Sequence, residues 1–112
     1  MANKLYKPIL IDSIVAGANL EKQRFVGFDG NYCQAGAKAF GVCDVETEAG
    51  QLAPVGVLGI FLVEAAGTIT AGSAVTSDAN GKAVAVTNND VTNGYSLDSA
   101  TTGSLIRVVR GI

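Results

Sequence analysis

Few residues in this chain could do chemistry: Lys82, the alternating acids Asp44, Glu46 and Glu48, the Asp78-Ala79-Asn80-Gly81 run, and two cysteines, Cys33 and Cys43. Histidine is absent, which removes the commonest general base and the commonest metal ligand. Gly81-Lys82 ends a run like a phosphate loop, but that pattern needs Gly at 76 and Ser or Thr at 83, where Thr76 and Ala83 stand. Asp78-Ala79-Asn80-Gly81 opens like a calcium loop and lacks both the glycine at its sixth place and the bidentate Glu at its twelfth. On a strand Asp44, Glu46 and Glu48 would share one face, a solvated one without a partner base or cleft. Cys33 and Cys43 are too few for a disulfide scaffold or a zinc site; they read as small buried apolar residues, and a bridge between neighbouring strands stays open. No catalytic, metal or cofactor site follows, and the chain is expected not to be an enzyme.

The elements that would hold these residues are turns and short strands. Asp78 to Gly81 is a tight turn: Asp and Asn bond to nearby backbone, and Gly81 supplies a positive φ. Its flanks, Ala74-Val75-Thr76 and Ala83-Val84-Ala85-Val86-Thr87, are small or β-branched and suit a pleated sheet, as does Thr68-Ile69-Thr70. Upstream, strands are expected at 25–28, 39–45 and 52–57, with turns at Asp29-Gly30-Asn31 and Glu48-Ala49-Gly50-Gln51. Pro54 cannot donate to a ladder and places its strand at an edge or a bulge. The closing strand, Ser104 to Arg110, alternates Leu105, Arg107 and Val109 against Ile106, Val108 and Arg110, both faces mixed, as at an edge or an interface.

The 112 residues most simply form one domain with a modest core. Apolar residues reach 48% but aromatics only 6%, with no Trp, so subunit contacts are expected to add what this aliphatic core lacks. Fourteen glycines and 16% charged residues imply turns, with at most one short helix. The net charge of −2 and scattered basic residues argue against nucleic-acid binding. The longest apolar run, 55–63, is too short for a membrane helix and reads as a buried strand. Without a signal-peptide pattern, synthesis in a cytoplasm is expected.

Residues 1–23 differ from the rest and read as an extended N-terminal arm before a 24–112 β-barrel or sandwich of about eight short strands. Leu5, Tyr6, Pro8, Ile9, Leu10 and Ile11 form an apolar strip that would be an aggregation liability if left uncovered. It is either a first strand on its own barrel or an arm adding a strand to a partner's sheet edge. The two halves also share an outline. Val26 and Asp29 match Val75 and Asp78 at a spacing of 49, and Gly41, Gly50, Leu52 and Val55 match Gly94, Gly103, Leu105 and Val108 at 53. Such a repeat can mark a duplicated unit, although glycine-rich β sequences also align readily.

The segment Ile69 to Val84, then Gly103-Ser104-Leu105-Ile106-Arg107-Val108, with Gly41-Val42 and Ala49-Gly50 upstream, resembles the tailed-phage capsid cement or head decoration family over residues 24–110. Ser73 departs from it, where the family often has Asp. The resemblance implies a small β-rich protein on the outside of an icosahedral head, commonly trimeric at three-fold positions, clamping major capsid subunits against internal DNA pressure. It implies a virion location, after synthesis in the host bacterial cytoplasm. Two other readings compete. Lys82 after Gly81 resembles the hairpin lysine of lipoyl and biotinyl carriers, which place an acid or Met before it. A small ligand-binding β module is the other, disfavoured because saccharide grooves usually present aromatic platforms.

Overall fold

The computed structural model describes residues 7–111, all-β and without a helix among them. Eight strands follow in chain order: β1 (Lys7–Val15), β2 (Phe25–Val26), β3 (Gly41–Cys43), β4 (Leu52–Glu64), β5 (Ala74–Ser77), β6 (Ala83–Ala85), β7 (Gly94–Ser96) and β8 (Leu105–Arg110). All pairings between strands are antiparallel, in the order β2-β3-β4-β8-β7-β5-β6, with β1 added to the other side of β4. The sheet nearly closes on itself. Phe25 N–H donates to Gly81 O at 2.7 Å, and Ala65 bridges Ala83.

Two apolar clusters lie on opposite faces of this sheet. Phe25, Val42, Phe61, Val63, Ile69, Val75, Ile106 and Val108 fill the barrel. Ala16, Leu20, Val26, Cys43, Ala53 and Val55 form a second cluster, with Ile14, Tyr32 and Phe40 against it. Neighbouring residues divide between the two because side chains alternate along a strand: Val55 pairs with Cys43 in one, while Gly56 pairs with Val42 beneath Phe61 in the other. A register irregularity in β4 between Gly56 and Leu58 moves the core-facing set across the sheet. One thirteen-residue strand thus serves both cores.

The duplicated outline is a structural repeat. Spacings of 49 in the early part and 53 in the late part carry one half's hydrogen bonds onto the other's. Leu20 and Thr47 exchange two backbone bonds, and so do their counterparts Ile69 and Ala100. Ala16 N–H to Gln51 O recurs as Ala65 N–H to Ser104 O, and Phe40 N–H to Val26 O as Asn93 N–H to Val75 O. The pairs Phe25–Val42 and Val26–Gly41 recur as Ala74–Tyr95 and Val75–Gly94. Most telling is β4 itself. Ile11–Gly56 and Val15–Leu52 recur as Ile60–Val109 and Glu64–Leu105, so β4 closes the first repeat and opens the second. The second cluster is filled by the first repeat alone, whereas the barrel cluster draws on both.

Three expectations need correcting. β8 is no edge strand; it lies between β4 and β7, with Ile106 and Val108 buried and Arg110 capping the barrel interior, its Nη2 donating to Ala39 O at 3.1 Å. Pro54 marks neither an edge nor a bulge. Its carbonyl accepts from Asp44 N–H just past the end of β3, so its missing N–H falls where that ladder has already stopped. Thr68-Ile69-Thr70 makes a single bridge at Ile69 in place of a strand.

Candidate functional site

Of the groups singled out for chemistry, Asp78 is occupied in holding its turn. Asp78 Oδ1 accepts from Asn80 N–H at 2.8 Å and Lys82 N–H at 2.9 Å. Asp29 does the same for Asn31 in the first repeat, and these bonds hold its carboxyl below the usual carboxylate value. Lys82 is tied to Glu64 at 3.3 Å, and Gly81, at φ 76°, lies against β2, so the lysine is not offered at a free tip. Asp44 and Glu46 line a groove of 540 Å³ with Glu21 and Glu64, without Glu48. Glu21 and Glu64 are committed to Arg24 at 3.1 and 3.4 Å. Among the described residues no group of three or more His, Cys, Asp or Glu could hold a metal ion.

Cys33 and Cys43 are free and buried, one in each cluster. Burial pushes both thiols above the ordinary value of 9.0, chiefly by desolvation of the thiolate. In the unfolded chain the thiols ionise first, so their contribution to stability is intact below pH 9.0 and is lost as pH rises towards the folded values. Melting temperature should therefore fall above that pH in the wild type. The fall should be shallower in a Cys33→Ala/Cys43→Ala variant, and equal slopes would refute the assignment.

What remains as a working surface is the predicted strip. Leu5 and Tyr6 lie outside the described residues; Pro8, Ile9, Leu10 and Ile11 sit together on β1. All four are exposed, Ile9 at 82%, and Val15 and Leu52 extend the apolar surface as a cross-strand pair. Among the described residues β1 pairs with β4 alone, so its outer backbone edge is open. Two devices limit that edge. Asp12 Oδ1 takes the Ser13 N–H at 2.8 Å, and Val15 O packs on Gly30, where a Cβ would come within 2.2 Å of it. The open run is thus Lys7 to Ile11, where the side chains are most apolar.

A second apolar surface lies on the barrel exterior, of which the sequence reading offered only the mixed faces of β8, as at an edge or an interface. Ile60, Leu62, Val109 and Tyr95 point outward from β4, β8 and β7, with Tyr95 52% exposed. The signal was present in the alternation of β8, where Val109 stands opposite the buried Val108.

The family model described as phage cement protein matches residues 7–111. Among solved structures, the head fiber gp8.5 N base of bacteriophage phi29 superposes with a TM-score of 0.74 at 22% identity, over 91% of this chain and 93% of that one. At that identity the likeness carries the small β-barrel fold alone. No curated protein sequence matches. The matched span takes in nearly the whole chain and shows the family: the chain belongs to the phage cement protein family, non-enzymatic structural proteins associated with the phage head.

Proposed function

We propose that this protein binds the outer surface of a tailed-phage head as a cement, stabilising contacts between major capsid subunits. In this reading it is made in the bacterial host cytoplasm and works as a homo-oligomer, a trimer by preference, without touching nucleic acid. Residues 1–23 act as the arm and 24–112 as the body: Leu5, Tyr6, Pro8, Ile9, Leu10 and Ile11 make the contact, while Ala16 and Leu20 anchor the arm in the second cluster. The observation that carries the reading is an open sheet edge bearing Ile9 at 82% exposure on a chain of this family. An exposed edge with apolar side chains is suited to main-chain pairing with another strand. Many weak copies on a symmetric shell would give firm adhesion.

The test is head binding by Ile9→Lys and by a chain lacking residues 1–12. Burying one Ile is worth about 1.5–3 kcal/mol, so Ile9→Lys should weaken binding at least about tenfold while the fold is kept. The truncated chain should stay folded and lose binding. Normal binding by both would show that the strip is not the contact.

A further inference from the structure

β4 has a gap on its edge away from β8. Ala65 N–H donates to Ser104 O across β8, so the alternation of the ladder turns the backbone groups of Leu62 and Glu64 to the other edge. On that edge Lys7 pairs with Ile60 at one end, and Gln23 O takes the Glu64 N–H at the other. Among the described residues no strand occupies this edge at Leu62, between them. Beside the gap lies a groove of 330 Å³ with Val42, Cys43, Val45, Phe61 and Leu62 in its lining. It shares Lys22, Gln23, Asp44 and Val45 with the 540 Å³ groove and runs on into it.

β1 runs antiparallel to β4 and is described from Lys7 onward, so the six residues before it arrive at this gap. We propose that the groove is filled by the chain's own residues 1–6, with Tyr6 and Leu5 closing the β4 edge and Lys4 and the terminal ammonium facing Asp44 and Glu46. Continuing the register puts Tyr6 opposite Phe61 and Leu5 opposite Leu62, each on its partner's face, and gives the Leu62 N–H the Leu5 carbonyl as acceptor. Gln23 blocks the ladder at Glu64, so the chain before Leu5 turns out along the acidic part of the groove. Met1 to Lys4 span about 13 Å when extended, and residues 1–6 contain no acid. Asp44 and Glu46 outnumber Lys22, the cation lining that part, and among the described residues neither makes an ion pair. Order and chemistry agree: the apolar pair meets the apolar lining first, and the cations reach the acids beyond it.

The inference concerns the free protein and can fail separately from head binding, for which Leu5 and Tyr6 would leave the groove while Pro8 to Ile11 stay presented. The experiment is amide hydrogen exchange followed by NMR at several protein concentrations. It compares the wild type, a chain lacking residues 1–6, Leu5→Asp, Lys4→Glu, and Lys4→Glu combined with Asp44→Lys and Glu46→Lys. The Val63 amide, which faces β8, reports on the fold in each. The Leu62 amide should exchange at least about tenfold more slowly in the wild type than in the truncated chain or Leu5→Asp, with Val63 unchanged. If truncation speeds Val63 as well, Leu5→Asp carries the comparison. Lys4→Glu should lose part of the protection, and the charge-swapped variant should regain it. Equal Leu62 exchange in the wild type and Leu5→Asp, an unaffected Lys4→Glu, or a failed rescue would each overturn the proposal. Protection that grows with protein concentration would overturn it too, in favour of a second copy's segment. Variants that lose Leu62 protection yet still bind heads leave the cement reading standing.

Discussion

Phe61→Ala is expected to destabilise the fold by about 3–5 kcal/mol, the usual cost of deleting a buried aromatic ring. Phe61 lies in the barrel cluster with Val42, Val63 and Val108, and it joins the repeats by sitting on Gly56. Domains of this size are stable by only about 5–15 kcal/mol, so the loss is a large share of the total. The melting temperature should drop by roughly 15–30 °C. A drop of only a few degrees would mean that the two repeats do not depend on this ring for their union.

The second large effect is the reverse change at the same contact. A Cβ on Gly56 would stand 2.1 Å from Phe61 Cε1 and 2.6 Å from Cδ1 and Cζ. The ring is enclosed and cannot swing away, so Gly56→Ala should cost about 3 kcal/mol, the upper end of overpacking penalties. Because the whole cost is a clash with one ring, it should nearly vanish once that ring is gone. In a Phe61→Ala background, urea unfolding should show Gly56→Ala almost neutral, a coupling of about 3 kcal/mol. Additive effects would locate the strain elsewhere. The second repeat supplies a natural comparison: Val109 occupies the Gly56 position and is tolerated because no ring sits upon it.

What the sequence made legible was its punctuation. Asp29 and Asp78, Gly50 and Gly103 announce turns because their chemistry is local, and their spacings of 49 and 53 registered the repeat. Gly50 and Gly103 do adopt matching φ values of 88° and 92°. Other features depended on contacts distant in sequence. Gln23 takes φ 66° where its counterpart Gly72 takes 88°, because the same hydrogen bonds to Cys43 and Ser96 fix both. Nothing in the residue type of Gln23 signals that conformation. Likewise the double service of β4 turns on an irregularity beside Val57 that the apolar run 55–63 conceals. The mixed faces of β8 misled because Arg110 is drawn inside by the Ala39 carbonyl at the barrel's end, while Arg107 stays outside with Asp98 at 2.9 Å.

The candidate surface was legible in part. The apolar strip stood out in sequence, since Pro8 and its neighbours suit an extended edge. Its pairing with β4 could not be read, because strand partners fifty residues away leave no local mark.

The most direct measurement takes matured heads of the phage that encodes this chain, stripped of the protein, and adds it back in increasing amounts. Bound copies are counted, and the temperature at which the heads release DNA is recorded. Cementing predicts saturation at a number fixed by the capsid lattice, with the release temperature rising in step with occupancy. Absence of binding, or full occupancy with an unchanged release temperature, would contradict it.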